Sequence, residues 1–248
     1  MNFKLRNILI ISLLISSFDA IGQELDRSPK EVILKKENSG FMEFRSNGWG
    51  FGYRTGKFKT GYNKKTWDFS FSVVKDIKQY KVPPISGSFG NRYFYGKMIH
   101  FYNFKALYGL QSVVNTKPYW GGVEIRKFLF SGLNIGVGVP IYVYVYNFDD
   151  GGGVSLERFD PDKHDYQDIY NKGPFSKGLK DAIVYPSLSF KGGINVEYGL
   201  MSQITKVIEV GGTIDIYPIP VQIMALKNPS YALFSIYVGF HFGQRYNR

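Results

Sequence analysis

The chain has 248 residues, of which 44% are hydrophobic and 17% aromatic, and it carries a formal net charge of +11. This apolar content excludes an intrinsically disordered protein. Because the chain contains no cysteine, a disulfide scaffold and a thiolate-held metal or cluster are also excluded.

The N-terminus, residues 1–22, has the pattern of a secretory signal peptide. Lys4 and Arg6 precede an apolar run at 8–15, and small residues follow at Ala20 and Gly22, as a cleavage site requires. The run is much shorter than the roughly 20 apolar residues of a membrane helix. We therefore expect export and removal of this segment. The mature chain is predicted to comprise an N-terminal periplasmic segment, a folded domain and a tail, at 23–40, 41–243 and 244–248.

Eight later segments alternate with a period of two residues between an apolar face and a small or polar face, which is typical of β-strands. The uncharged stretch 128–148 is long enough for a membrane helix, but its glycines and β-branched residues favour strands. We expect a tight turn at Ser131–Gly132 to separate the fourth segment from the fifth. The eight predicted strands are 48–54, 67–73, 104–111, 123–126, 133–146, 188–198, 208–216 and 234–243.

The polar face of these strands distinguishes a soluble barrel from a membrane barrel. It consists mainly of Gly, Ser and Asn with one or two charges per strand, which suits a crowded interior better than a water-facing exterior. The predicted fold class is therefore all-β, a transmembrane antiparallel up-and-down β-barrel of about eight strands with a filled lumen. The charges predicted to face the lumen nearly cancel, as buried charges must pair: Arg54, Lys105, Arg126 and Lys191 against Asp68, Glu124, Glu197, Glu209 and Asp215.

Four segments resemble the small outer-membrane β-barrel proteins of Bacteroidota. They are the opening hairpin at 47–78, the aromatic segment at 93–111, the strand GGVEIRKF at 121–128 and the closing strand SIYVGFHFGQ at 235–244. The resemblance implies a location in the cell outer membrane. It implies no particular activity.

An even number of strands places both termini in the periplasm, and the predicted strands assign each connection to a side. Connections 56–64, 115–119, 147–182 and 218–230 are expected outside. Connections 77–103, Ser131–Gly132 and 200–205 are expected in the periplasm. The long connection 77–103 is a candidate docking element, with a plug beneath the barrel or an extended strand as the alternatives.

Three sets of residues are candidates for binding. The first two are partner-binding sets in 77–103 and in the long outward loop 147–182, whose length suggests a contact surface. The third is a set of lysines at the first outward loop, which would meet lipid A phosphates or would simply be solvated. The sets are Tyr93, Phe94, Tyr95 and Lys97; Asp160, Asp162, Asp165 and Tyr170; and Lys57, Lys59, Lys64 and Lys65.

Signals for an enzyme are few. A lipid A deacylase or acyltransferase needs a His with a Ser and a carboxylate within hydrogen-bonding reach. Of His100, His164 and His241, only His241 falls on a predicted strand, where its parity directs it into the lumen beside Glu209. An inward histidine is more often a core residue than a catalytic base, so a non-enzymatic protein is predicted and the lipid A-modifying enzyme is the alternative.

Other classes of function are excluded by size, location or spacing. Eight strands leave an interior that side chains fill, which excludes a porin. Nucleic acid is an implausible partner for an exported barrel. The acidic residues of 147–182 lack calcium-loop spacing, so no metal and no cofactor is expected. The sequence thus predicts a non-catalytic interaction or scaffold subunit that contacts outer-membrane lipid and other outer-membrane or periplasmic proteins, within outer-membrane protein assembly or export machinery.

Overall fold

The computed structural model of the chain describes residues 35–76, 79–83, 92–116, 122–147, 153–161, 163–164, 168–198, 204–225 and 227–247. The predicted signal peptide at 1–22 and two predicted partner-binding residues, Asp162 and Asp165, lie outside these ranges. Over the described ranges, no helix is long and apolar enough to cross a membrane.

The described residues form strands and one short helix. In chain order they are β1 (Lys36–Arg45), β2 (Gly48–Phe58), β3 (Asn63–Val74), β4 (Lys81–Val82), β5 (Tyr93–Phe94), β6 (Ile99–Asn115), β7 (Glu124–Pro140), β8 (Tyr142–Asn147), β9 (Gly153–Arg158), β10 (Ile169–Lys172), α1 (Phe175–Lys180), β11 (Ile183–Tyr198), β12 (Ile204–Val221) and β13 (Ser230–Tyr246). Eight of them close into an antiparallel barrel in the order β1, β2, β3, β6, β7, β11, β12, β13, with β13 paired to β1.

Apolar side chains cover the outside of the barrel and charged side chains fill it. Leu129 and Leu133 on β7 are each 68% exposed, whereas Asp68 and Lys191 are 0% exposed inside. A soluble barrel has the reverse arrangement. The predicted fold class, a transmembrane antiparallel up-and-down β-barrel with a filled lumen, is confirmed.

The tight turn predicted at Ser131–Gly132 is wrong, because β7 runs through it without interruption and pairs with β6 and β11 on either side. A close contact between two strands, and not a turn, explains the glycine at position 132. A Cβ atom on Gly132 would lie 2.2 Å from the carbonyl oxygen of Ala106 on β6, so only glycine permits this close approach of two strands. Residues 142–146 were predicted to belong to a barrel strand. They instead form β8, which pairs with β9 and β10 in a separate sheet.

The predicted domain bounds also require correction. The barrel begins at Lys36, inside the predicted N-terminal segment 23–40, and ends at Tyr246, inside the predicted tail 244–248. The strand β1 alternates less clearly than the others because its inward face includes Phe41 while its outward face includes Lys36, Asn38 and Gly40. Eight barrel strands were predicted and eight are present, but the two sets differ. The predicted turn divided β7 into two strands, and β1 was not predicted at all.

These changes reverse the side assigned to several connections. Both termini and the connections 59–62, 116–123 and 199–203 belong to one end of the barrel, called the terminal end here. The connections 46–47, 75–98, 141–182 and 222–229 belong to the other, the cap end. The predictions that 77–103 and 147–182 lie on opposite sides, and that 56–64 and 147–182 share a side, are therefore wrong.

The three long connections of the cap end fold together into one structure, called the cap here. Strands β10, β8 and β9 form a three-stranded sheet, and β4 pairs with β5. Backbone hydrogen bonds tie the segments together, from Met98 N to Ile223 O at 2.9 Å and from Ile141 N to Met98 O at 3.0 Å. The cap has its own apolar core, which comprises Tyr93, Ile141, Val143, Val145, Phe159 and Ile169.

Candidate functional site

The lumen is closed at the cap end by an apolar cluster. Phe101 is completely buried and contacts Tyr185 and Tyr217 edge to face, with ring centroids 5.7 Å and 5.6 Å apart. The hydroxyl of Tyr217 donates to Asn103 Oδ1 at 2.9 Å and accepts from Asn134 Nδ2 at 3.0 Å, which joins the cluster to the polar part of the lumen. The buried members of the cluster are Val74, Ile99, Phe101, Tyr185, Tyr217, Val221, Ile223 and Met224.

The middle of the lumen holds a network of ion pairs centred on Arg54 and Lys191. Arg54 donates to Asp68 Oδ2 at 2.6 Å and to Glu209 Oε2 at 2.5 Å. Lys191 bonds to Glu43 and lies 3.2 Å from Asp68 and 3.6 Å from Glu209. Removing water from these charges is costly, and their mutual pairing offsets that cost.

Further pairs fill the lumen on both sides of this network. Lys105 bonds to Asp215, and Arg45 to Glu43. At the terminal end the pairs are Lys64 with Glu37, Arg245 with Glu37 and Glu197, and Arg126 with Glu124. Every basic residue of the lumen thus has a carboxylate partner.

All nine charged residues predicted from strand parity to face the lumen do so, and the pairing expected of them is present. The sequence reasoning missed Glu37, Glu43 and Arg45 because β1 was not recognised as a strand. It also missed Lys64 and Arg245. Parity alone would have found Lys64, since neighbouring residues on one strand cannot both face outward.

The lumen also contains His241, as predicted. Its ring stacks on Phe41 with centroids 4.7 Å apart, and its Nε2 lies 3.3 Å from Glu209 Oε2. The side chain is only 3% exposed. His241 is therefore a packed member of the ion-pair network.

The other two histidines lie at the cap end. His100, expected on a loop, is the second residue of β6 and packs against Phe175 of α1 with ring centroids 5.8 Å apart. His164 lies in the cap, where its Nδ1 accepts a hydrogen bond from the Asp160 amide at 3.1 Å and its Nε2 lies 3.2 Å from Glu157 Oε2.

His164, Glu157 and Ser155 bring together the three residue types of a hydrolytic triad, but in an unsuitable order. Ser155 donates to Glu157 Oε1 at 2.6 Å, so the carboxylate lies between the hydroxyl and the imidazole. A nucleophilic serine needs the imidazole beside it as the general base. The hydrogen bond from Ser155, followed by the contact with His164, lowers the pKa of Glu157 below its usual range. The arrangement fastens β9 to the following turn.

A cleft of about 470 Å³ adjoins this cluster, lined by Met98, Glu157, Arg158, Phe159, Asp160, Lys163 and His164. Among the described residues, no group of three or more metal-ligating side chains is placed to hold a metal ion.

Several residues predicted to bind a partner are instead part of the cap's interior. Tyr93 is 3% exposed in the apolar core, and Tyr95 packs against Phe159 with ring centroids 6.3 Å apart. Lys97 is also 3% exposed and donates to Gln79 Oε1 at 3.0 Å. Burial, with Lys75 and Lys172 nearby, lowers the pKa of Lys97 to about 8.

The remaining predicted partner-binding residues are more accessible. Phe94 is half-buried between the ammonium groups of Lys81 and Lys97, at 5.5 Å and 5.1 Å from its ring centroid. Asp160 is half-buried beside His164, and Tyr170 is 44% exposed on β10.

The sequence reasoning did not recognise the outward face of the cap sheet. On β8, Val143 and Val145 face the cap's core, so Tyr142, Tyr144 and Tyr146 face away from it. Across the sheet, Tyr144 pairs with Leu156 and Tyr146 with Val154. The same alternation predicts a barrel strand over 133–146, and on such a strand these tyrosines would share the polar face that points into the lumen.

The four lysines predicted to bind lipid A phosphates lie in two different environments. Lys64 faces the lumen, where its Nζ lies 2.5 Å from Glu37 Oε1 and its side chain is 3% exposed. It is therefore unavailable to lipid. Lys57, Lys59 and Lys65 are exposed, at the terminal end and not at the cap end.

Comparisons with known proteins found no matching family model and no matching curated protein. Several solved structures are similar to the chain, among them the following three. Neisserial surface protein A has 10% identity, a TM-score of 0.41, and coverage of 86% of this chain and 97% of its own. The N-terminal β-barrel domain of Pseudomonas aeruginosa OprF has 10% identity and a TM-score of 0.36, and Ail, the attachment invasion locus protein of Yersinia pestis, has 9% and 0.38, each with the same coverage.

Proposed function

We propose that this protein is a non-catalytic interaction subunit of the outer membrane. Its barrel is the membrane anchor, and its cap carries the binding surface. The observation that supports this proposal most directly is the joint folding of three connections into a cap with an apolar core. Binding residues are disproportionately found on loops that a rigid scaffold positions, and long connections are usually either functional or disordered.

The filled lumen supports a role as an anchor. A conducting pore needs a continuous water-filled path, but ion pairs occupy the middle of this barrel and an apolar cluster closes its cap end. Eight strands leave room only for side chains. Solute passage is therefore not the function that the geometry favours.

The outward face of the cap sheet is the proposed contact surface. Tyr144 and Leu156 are half-buried neighbours across β8 and β9, Val154 is 48% exposed, and Arg158 is exposed at the end of β9. Tyrosine and arginine are enriched at the energetic centres of protein interfaces, with apolar side chains around them. This composition favours a protein partner over a small solute.

The orientation follows the usual design of outer-membrane barrels, with short periplasmic turns and long outer loops. We propose that both termini face the periplasm and that the cap faces outward. The membership in the small outer-membrane barrels of Bacteroidota and the role in protein assembly or export machinery belong to this proposal. The sequence resemblance supports the membership, and the contact surface of the cap supports a role within a larger assembly.

The second candidate, a lipid A-modifying enzyme, is less favoured. The residues that such an enzyme needs are present in the cap, but Glu157 separates Ser155 from His164. The lumen histidine, His241, is enclosed.

In-cell photo-crosslinking tests the interaction surface. A photoreactive amino acid at Tyr144 or at Leu156 should give the same discrete adduct with one protein. At the exposed residue Lys59, at the opposite end of the barrel, it should give none. Equal adducts from all three positions, or none from Tyr144 and Leu156, would contradict the proposal. Altered lipid A in cells expressing the protein, abolished by Ser155→Ala in a folded barrel, would favour the enzyme instead.

A further inference from the structure

The charged side chains on the outside of the described barrel strands lie at one end of the barrel, the terminal end. Within the described barrel strands, every carboxylate faces the lumen, and the outward-facing charged side chains are all lysines. Each of them lies within four residues of the terminal end of its strand. They are Lys36 on β1, Lys57 on β2, Lys65 on β3, Lys127 on β7 and Lys206 on β12. Toward the cap end, the described residues of these eight strands include no outward-facing charge.

Three of these lysines form a row across adjacent strands. Lys36 is the register partner of Lys57, and Lys57 is the register partner of Lys65. Neighbouring strands are about 4.8 Å apart, and like charges directly opposite each other destabilise a sheet. No carboxylate in the described part of the chain pairs with any of the three. An anion outside the protein would relieve this repulsion.

The surroundings of the row indicate what kind of anion it is. Trp67 lies two residues further along β3, toward the middle of the membrane, and its ring contacts Tyr108 with centroids 4.9 Å apart. Both side chains are exposed, at 48% and 39%. Together with Lys36, Lys57 and Lys65 they line a groove of about 570 Å³. Tryptophan and tyrosine mark the level where lipid headgroups meet the hydrocarbon region.

We propose that Lys36, Lys57 and Lys65 bind the phosphate of an anionic glycerophospholipid, with Trp67 and Tyr108 against the start of its acyl chains. Lysine side chains extend from an apolar surface to the headgroup level and place their ammonium groups there. Several ammonium groups meeting one phosphate form charge-assisted hydrogen bonds. The site replaces the predicted lipid A contact, because it lies on the side of the termini.

The inference rests on the proposed membrane location, and it adds the lipid class and the leaflet. In the proposed orientation the terminal end lies at the periplasmic leaflet. The row of lysines then fixes the height of the barrel in that leaflet, since lysines hold their position at a membrane surface.

Fluorescence quenching by brominated lipids tests the site directly. With Trp49→Phe and Trp120→Phe, Trp67 becomes the only fluorescent tryptophan and reports on lipid at the groove. In reconstituted vesicles, brominated phosphatidylglycerol should bind there at least about fivefold better than brominated phosphatidylcholine, because a single lysine near an anionic lipid already provides that factor and the site has three. The preference should fall as salt is raised.

The chain offers two matched controls. Trp49, 39% exposed at the cap end of β2, should report no preference when it is the only tryptophan. Lys36→Gln with Lys57→Gln and Lys65→Gln should abolish the preference at Trp67. The same loss of charge in the cap, by Lys75→Gln, Lys163→Gln and Lys180→Gln, should leave it intact.

Equal quenching of Trp67 by the two brominated lipids would overturn the inference. Loss of the preference in inorganic phosphate, but not in chloride of equal ionic strength, would assign the site to free phosphate and overturn it as well. Failure of the protein to insert into vesicles, measured as loss of heat-modifiable migration on gels, would instead contradict the proposed membrane function.

Discussion

The ion pair between Lys105 and Asp215 gives the sharpest test of the filled lumen. Lys105 Nζ lies 2.6 Å from Asp215 Oδ1 and 2.7 Å from Oδ2. The two side chains are 0% and 5% exposed. The substitution Lys105→Met preserves most of the side chain's volume and removes its charge, so the Asp215 carboxylate loses the ammonium group with which it pairs. Asp215→Asn removes the opposite charge.

The structure sets the expected magnitude. At this distance and an effective dielectric constant near 20, the attraction is about 6 kcal/mol, most of which burial of the two charges cancels. Breaking a buried pair usually costs about 3–5 kcal/mol. Asp215 also accepts hydrogen bonds from Ser189 at 2.5 Å and from Asn103 at 3.4 Å. These bonds compensate in part, so we expect Lys105→Met to cost about 3 kcal/mol.

A double-mutant cycle separates the pair from its surroundings. Asp215→Asn should also cost about 3 kcal/mol, because it leaves a buried ammonium group without its partner. The double variant should cost about 3 kcal/mol and not the sum, which gives a coupling free energy of about 3 kcal/mol. Urea unfolding in vesicles, followed by gel migration without heating, measures each free energy of unfolding.

A pair whose basic partner is exposed provides the control. Lys227 Nζ lies 2.9 Å from Asp76 in the cap, and the two side chains are 61% and 7% exposed. Lys227→Met should lower the free energy of unfolding by about 1 kcal/mol or less, because water surrounds the ammonium group in the folded protein and screens the pair. The reasoning about the lumen would be refuted if Lys105→Met cost no more than Lys227→Met, or if the two lumen substitutions were additive.

Three further predictions concern the mouth of the lumen and the cap. Arg126→Ala should lower the free energy of unfolding by about 1–2 kcal/mol, less than Lys105→Met does. The reason is that its partner Glu124 is 18% exposed, so water reaches the carboxylate that remains; thermal unfolding measures the effect. Lys97 has a pKa lowered from 10.5 to about 8, so the folded cap binds fewer protons than the unfolded cap between these values. Cap stability, measured by hydrogen exchange, should therefore rise from pH 8 to pH 10.5, and Lys97→Met should remove that rise and stabilise the cap at pH 7 by about 2 kcal/mol. Ile169 is fully buried, so Ile169→Ala should lower the free energy of cap unfolding by about 2–5 kcal/mol. It should expose 141–182 to protease while the barrel keeps its heat-modifiable migration; loss of that migration together with protease protection would contradict a separate cap core.

The sequence by itself determined the barrel class and the direction of the side chains on the recognised strands. Side chains alternate between two faces for a purely local, geometric reason, so the parity of Asp68, Lys191 or His241 needs no knowledge of the neighbouring strands. The near-neutral balance of charges on the inner face followed in the same way. The choice of a membrane barrel over a soluble one followed from which face carries the small residues.

Only the tertiary structure decided which segments pair and where each strand ends. Ser131–Gly132 has the composition of a turn, yet the glycine is there because β6 approaches at that point. This close contact joins residues more than twenty positions apart in the chain, so no local pattern reveals it. The sequence pattern did not predict β1 for a related reason. Its inward face carries Phe41 beside Glu43, and their environment is set by strands that come much later.

The end of the barrel to which each connection belongs depends on every strand before it. The false turn therefore put 77–103 on the wrong side of the barrel relative to 147–182, and the missed strand put 56–64 on the wrong side relative to the termini. The cap could not be predicted, since its core forms from Tyr93, Val143 and Ile169 only when the barrel brings three separate connections to one end. The lysine row has the same origin, because Lys36, Lys57 and Lys65 become neighbours through the register of β1, β2 and β3. Strand parity is a local property of the backbone, whereas register and closure are properties of the whole barrel.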